Sequence, residues 1–215
     1  MASMVLQAIS GPVLPLPNES AEMMKRRVGI FGGTFDPVHS GHIEAVHSFL
    51  ESGLIDEVWV MLTPDPPHKR HRSKHTPYKH RLRMLELAFS ETERVKICTL
   101  ERELPQPSYT LQTLQHLTTT YPDTRFFLCL GEDSVSSFHT WHRYRDILSD
   151  FSLMAVKRPG SDAVEAEDEV LEKTIFLEHK PVDISSTAIR QNGSDMEQMV
   201  PDTVAAYMEE HELYT

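Results

Sequence analysis

A chain of 215 residues, 40% of them hydrophobic, is long enough to bury one substantial core, and no apolar run in it approaches the ~20 residues of a membrane span. A formal net charge of −11 argues against general nucleic-acid binding, which needs an extended basic face. The imbalance is local: residues 1–160 carry 18 Lys/Arg against 18 Asp/Glu, residues 161–215 carry 3 against 14, and residues 67–83 hold seven Lys/Arg and no acid. That basic stretch reads either as a solvated loop or as the mouth of a site for a compact anion. Cys98 and Cys129 both lie in apolar runs. They are expected as buried thiols in a reducing, cytoplasmic compartment and not as a disulfide framework.

Residues 1–23 contain Gly11-Pro12 and Pro15-Leu16-Pro17, which break any helix. They lack the basic start and long apolar stretch of a secretory signal. Residues 1–24 are therefore expected as a mobile extension and 25–215 as a single domain. Residues 28–31 form a short apolar run, predicted as a buried strand. Residues 43–50 follow with Ala45, Val46, Phe49 and Leu50 at helical spacing, and Ser52-Gly53 stops that helix. Glu57–Leu62 is a second strand. Residues 63–67 make a stiff proline-rich loop, 78–89 a helix, and Val95–Cys98 a third strand. Ser108 is expected to cap a helix over 109–120. Residues 125–130 read as the strongest strand, ended by Gly131. A helix over 141–148, a strand over 151–156 and a turn at 158–160 follow. Residues 163–171 suit an acidic surface helix, Thr174–Leu177 a last strand, and 185–190 and 203–211 two further helices. Strands alternating with helices predict an α/β fold with a doubly wound, mainly parallel sheet.

The stretch 28–43 carries the chemistry. It runs from a strand through Gly32-Gly33 and Asp36-Pro37 into His39-Ser40-Gly41-His42 at a helix start. Residues three apart share a helix face. The first helical turn offers unpaired N–H groups and the positive end of the dipole, so two imidazoles there make a site for a polyanion such as a triphosphate. Gly41 would let a nucleotide approach the backbone closely. There is no G-x-x-x-x-G-K-[ST], and Gly29-Ile30-Phe31-Gly32-Gly33 has the wrong spacing for a bound dinucleotide cofactor. All candidate functional stretches fall just after strands, where open α/β sheets bind ligands. His68, His71, His75 and His80 are too irregularly spaced, and too short of further ligands, to suggest zinc.

The segment Gly-Gly-Thr-Phe-Asp-Pro-Val-His-Ser-Gly-His (32–42) resembles the signature of the nucleotidyltransferase superfamily that shares H-x-G-H with class I aminoacyl-tRNA synthetases. Ile184-Ser185-Ser186-Thr187-Ala188-Ile189-Arg190 is similar to its second signature, I-S-S-T-x-I-R. Physically, Ser185 or Ser186 can cap a helix start, and Arg190 lies four residues past Ser186 on the same face, so hydroxyls, amides and a guanidinium would converge on one phosphate. Pro66-Pro67-His68-Lys69, Glu101-Arg102-Glu103-Leu104, Pro107-Ser108-Tyr109-Thr110, Gly131-Glu132-Asp133-Ser134 and Thr140-Trp141 resemble stretches of the bacterial nicotinate-nucleotide adenylyltransferase family. The resemblance runs from about residue 25 to the end; the extension before it is the main departure.

The resemblance implies a Rossmann-like nucleotidyltransferase fold and transfer of AMP from ATP to nicotinate mononucleotide, with pyrophosphate released. It implies His39, His42 and Arg190 as catalytic residues. Gly32, Gly33, Thr34, Phe35, Gly41, Gly131, Asp133, Ser185 and Ser186 would bind ATP. Lys69, Arg70, Tyr109, Thr110 and Trp141 would bind the pyridine nucleotide. An indole face at Trp141 also has its own logic, because a pyridinium is a flat cation. The attacking phosphate oxygen is already anionic, so alignment and charge neutralisation suffice without a general base or covalent intermediate. Mg²⁺ would ride mainly on the ATP phosphates. No protein metal site, nucleic acid or membrane is expected; a homo-oligomer is left open. Other readings are the same chemistry on another acceptor, such as nicotinamide mononucleotide, and a non-catalytic nucleotide sensor.

Overall fold

The computed structural model describes residues 25–64, 75–157, 165–179, 182, 184–192 and 199–214. The expected extension, Lys69, Arg70, His68, His71 and the turn at 158–160 lie outside the described residues. Strands β1 (Arg26–Gly33), β2 (Glu57–Leu62), β3 (Val95–Cys98), β4 (Thr124–Gly131), β5 (Ser152–Val156) and β6 (Thr174–Leu177) form one sheet in the order β3-β2-β1-β4-β5-β6. Every pairing is parallel. The helices are α1 (Ser40–Glu51), α2 (Tyr78–Ala88), α3 (Thr110–Thr120), α4 (Glu132–Ser136), α5 (Tyr144–Asp150), α6 (Asp168–Lys173), α7 (Ser186–Asn192) and α8 (Asp202–Glu210).

Strand periodicity divides the core in two. Phe31, Val58, Val60, Phe127 and Cys129 join Val46 and Phe49 of α1, Met84 and Leu85 of α2, and Val204 and Met208 of α8 on one face. Val28, Ile30, Trp59, Leu128 and Leu130 join Leu111 and Leu114 of α3 and Ile147 of α5 on the other. Both faces are covered, which is why β1, β2 and β4 read as continuous apolar runs and not as alternating ones. At Gly29 a Cβ would stand 2.7 Å from both Cys129 Sγ and Ile55 Cδ1, so only glycine fits between β1 and its neighbours. The strand order reverses between β1 and β4. Their carboxyl ends, Gly32-Gly33 and Gly131, therefore flank the switch-point crevice where α/β sheets bind ligands.

Three local expectations are corrected. Trp141 is not helical: it is extended (φ −74°, ψ 145°) after a 3₁₀ turn over Phe138–Thr140, and α5 begins only at Tyr144. Fully buried Phe138 carries the Trp141 ring 5.0 Å away, and Arg143 turns the chain through a left-handed conformation (φ 54°). The N-cap of α3 is Tyr109, not Ser108, because Ser108 is drawn inward and buried. The acidic helix spans Asp168–Lys173 and runs directly into β6. Cys129 is buried, Cys98 only partly, and both are free thiols. Among the described residues no helix is long and apolar enough to cross a membrane.

Candidate active site

After β1 the chain passes through Phe35 (φ 45°) and a cis Asp36–Pro37 bond and reaches His39, the extended N-cap of α1. The His39 carbonyl accepts from the His42 and Ile43 amides at 2.8 and 3.3 Å. The His39 amide in turn donates to His42 Nδ1 at 3.3 Å. With Nδ1 accepting, a neutral His42 carries its proton on Nε2 and is a donor there. The two imidazoles stack with centroids 3.7 Å apart, and His42 meets the Phe35 ring at 4.9 Å. A Cβ on Gly41 would lie 3.1 Å from His39 Nδ1. A side chain there would press on the His39 ring and displace it by a few tenths of an ångström.

Helix α7 is fastened across this loop. Ser185 Oγ accepts from the Ala188 amide at 3.1 Å and so acts as the cap. Ser186 Oγ donates to the Pro37 carbonyl at 2.9 Å. Arg190 donates through Nη1 to the Asp36 carbonyl at 2.6 Å and through Nη2 to Thr187 Oγ1 at 3.1 Å. Asp36 is 3% exposed. Its Oδ1 accepts from the Tyr214 hydroxyl at 2.7 Å, and His75 Nδ1 lies 3.1 Å from Oδ2. Burial alone would raise its pKa, but hydrogen bonds from Tyr214, Thr76 and His75 and the charge of Arg190 together hold it below the usual carboxylate range.

Arg81, on α2, is 2% exposed. Its guanidinium donates to the carbonyls of Thr34 (2.7 Å), Thr63 (3.0 Å), Pro64 (3.1 Å) and Thr76 (3.0 Å). It thereby ties together the segments that leave β1 and β2 and the one that enters α2. Burial lowers its pKa from a starting value so high that it stays charged.

Two adjoining cavities open at the switch point and share the wall made by Gly32, Gly33, Thr34 and Gly131. The larger, about 460 Å³, contains Phe35, Asp36, His39, Gly41, His42, Asp133, Ser185, Ser186 and Arg190. The smaller, about 210 Å³, contains Tyr109, Thr110, Trp141, Glu101, Ser108 and His142. The expected ATP residues thus converge on one cavity, and those expected for the pyridine nucleotide on its neighbour, with Lys69 and Arg70 outside the described residues. A Cβ at Gly32 or Gly131 would meet nothing within 4 Å, so these glycines leave the shared wall open. His142 lies against Tyr109, rings 4.4 Å apart. Glu101 is 7% exposed, with Thr113 Oγ1 donating to Oε1 at 3.2 Å, and burial raises its pKa. Of the irregularly spaced histidines, the two among the described residues have hydrogen-bond partners: His75 with Asp36, and His80 Nδ1 with the Tyr207 hydroxyl at 2.9 Å.

Sequence reasoning missed Arg81, Asp36 and Tyr214 as parts of this site. Asp36 was legible only as a turn residue, and nothing local marks Tyr214, which stands 178 residues away from it.

The cytidylyltransferase-like family model matches residues 30–192, so the parallel sheet with a histidine pair, a helix start and an arginine at its switch point is that of a nucleotidyltransferase of this class. Relatives narrow it. The probable nicotinate-nucleotide adenylyltransferase of Geobacillus thermodenitrificans is 38% identical over 191 residues, 87% of this chain and 86% of the relative. The nicotinate-nucleotide adenylyltransferase of Bacillus subtilis is 33% identical over 192 residues, 88% and 98%. The chain belongs to the nicotinate-nucleotide adenylyltransferase family. Its fold matches that of the Plasmodium falciparum nicotinic acid mononucleotide adenylyltransferase complexed with NaAD, with a TM-score of 0.74 at 18% identity, covering 88% of this chain and 97% of that one.

Proposed function

We propose that this enzyme transfers AMP from ATP to nicotinate mononucleotide, forming nicotinate adenine dinucleotide, a precursor of NAD, and pyrophosphate. The observation that carries this reading is the pair of adjoining cavities with one glycine wall: a polar cleft with His39, His42 and Arg190 beside a smaller pocket with Trp141. ATP in the first and the pyridine nucleotide in the second would bring two phosphates together at Gly32–Thr34.

The acceptor phosphate oxygen attacks the α-phosphorus; the new P–O bond forms as the bond to the β-phosphate bridge breaks, and that electron pair leaves with pyrophosphate. No proton need be removed from the nucleophile. His42, a donor at Nε2, suits stabilisation of the leaving charge better than proton abstraction. Among the described residues no group of three His, Cys, Asp or Glu side chains is placed to hold a metal, and Asp36 already has its own donors. Mg²⁺ carried on the ATP phosphates would supply charge neutralisation at the transferring phosphoryl group. In the second pocket, Trp141 offers an indole face to the pyridinium. Thr110, the first residue of α3, brings first-turn amides, which favour a carboxylate over an amide substituent.

The test is pyrophosphate release from MgATP with nicotinate or nicotinamide mononucleotide. Turnover with clear preference for the acid is expected. ATP binding without turnover would make the protein a sensor; preference for another acceptor would move it to a different member of the superfamily.

A further inference from the structure

Asp36 poses a problem for a triphosphate site. Asp36 is buried and belongs to the wall of the larger cavity, and a negative charge so near a polyanion opposes it unless it is neutralised and held still. The structure holds it at both ends. The main-chain carbonyl is gripped by Arg190, and the carboxylate is gripped from another direction by the Tyr214 hydroxyl, with His75 at the second oxygen. The loop cannot shift without breaking one of these bonds.

The segment that brings Tyr214 there is itself constrained. Helix α8 is seated by buried Val204 and Met208. The Leu213 amide returns to the Met208 carbonyl at 2.9 Å. Tyr214 then sits at φ 62°, and Phe35, next to Asp36, at φ 45°. Left-handed backbone is unfavourable for bulky residues and persists only where surrounding contacts impose it. The Tyr214 ring packs on the core shared by α1, α2 and α8, which leaves its hydroxyl directed at Asp36.

We propose that Tyr214 is a positioning residue for the ATP half of the site: by holding the Asp36 carboxylate it fixes the loop over 34–38, and so sets where His39, His42 and Arg190 stand. This rests on reading the larger cavity as the ATP site. Of the loop over 34–38 the smaller pocket includes only Thr34, whereas the larger includes Thr34, Phe35 and Asp36, so the effect falls mainly on one substrate.

The test is Tyr214→Phe, which keeps the ring and removes the hydroxyl. Binding of a non-hydrolysable ATP analogue is measured by calorimetry, and KM is measured for each substrate. The dissociation constant and KM for ATP are expected to rise about three- to tenfold, about the net worth of one ordinary hydrogen bond, while KM for the pyridine nucleotide stays within about twofold. In an Asp36→Ala background, which has no side-chain acceptor, Tyr214→Phe should add nothing further. Unchanged ATP affinity in Tyr214→Phe overturns the proposal, as does equal weakening for both substrates, which a merely structural role would produce. If the unmutated protein binds no ATP, the functional reading falls together with this one; if it binds ATP and Tyr214→Phe binds equally well, only the positioning role falls.

Discussion

The imidazoles of His39 and His42 are stacked, with centroids 3.7 Å apart and planes 28° from parallel, while the main-chain amide of His39 donates to His42 Nδ1. One histidine is therefore both the ring partner of the other and a substitute cap for the helix that carries it. This dual position separates catalytic from structural effects. His42→Ala is expected to lower kcat by about 10²–10³, the range for loss of one donor to developing charge. It should also lose about 1 kcal/mol of capping, a fall in Tm of about 2–4 °C for a domain of this size. Steady-state kinetics and calorimetry check the two parts; near-normal turnover would remove His42 from the chemistry.

Gly41 and Gly32 should respond differently to the same added methyl. At Gly41 the new Cβ would press on the His39 ring, 3.1 Å away. Alanine also favours the helix by roughly 0.5–1 kcal/mol. Gly41→Ala is therefore expected to keep or raise Tm while kcat falls at least about tenfold, because misplaced groups lose rate steeply. At Gly32 the methyl meets nothing within 4 Å and projects from the wall shared by the two cavities. Gly32→Ala should fold normally and raise KM for both substrates. If Gly41→Ala has wild-type kcat, the stacked geometry is not required.

Arg81 satisfies carbonyls on three separate segments. Lysine keeps the charge but not the planar fork. Arg81→Lys is expected to lose about 3 kcal/mol in urea denaturation, since several buried carbonyls lose donors. Turnover should fall with it, because Thr34 lies in the nucleotide wall. A loss below about 1 kcal/mol would mean that the loops hold themselves.

Glu101 gives a prediction in pH. Burial raises its carboxyl pKa in the folded protein, so the folded state holds this proton more tightly than the unfolded chain does. Stability linked to it is fully present below the ordinary glutamate pKa and is lost as pH rises through the raised value. Glu101→Gln should therefore become progressively more stable relative to wild type as pH increases through that interval, then level off. Asp36 and Asp56, whose pKa values are lowered, act in the opposite sense at acid pH, but their contribution is common to both proteins and cancels. Urea midpoints over a pH series measure the difference, and parallel curves would show that Glu101 does not titrate in this interval.

Much of the fold was legible because its signals are local. Glu57–Leu62, Val95–Cys98 and Thr174–Leu177 were bounded correctly, since buried parallel strands are short apolar runs set between turn residues. The helix missed at Glu132–Ser136 has only five residues and begins in charged residues with no apolar stripe to announce it. Trp141 was placed in a helix because its neighbours favour one; its docking on Phe138 overrides that preference.

Chemistry concentrated in contiguous motifs could be read from order alone. Gly32–His42 and Ile184–Arg190 each carry their turn, cap and charge within a few residues, so spacing by itself pointed to a polyanion site, and resemblance to its family. The tertiary structure alone decided what those groups do to one another: that Arg190 and Ser186 hold loop carbonyls, that Gly41 makes room for an imidazole, that Arg81 is interior, and that Tyr214 reaches Asp36. Hydrogen bonds spanning 149, 154 and 178 residues leave no periodicity or spacing in the chain. They exist only because the sheet brings the segments after β1, β2 and β6 to one edge, where buried carbonyls and a buried carboxylate must find donors.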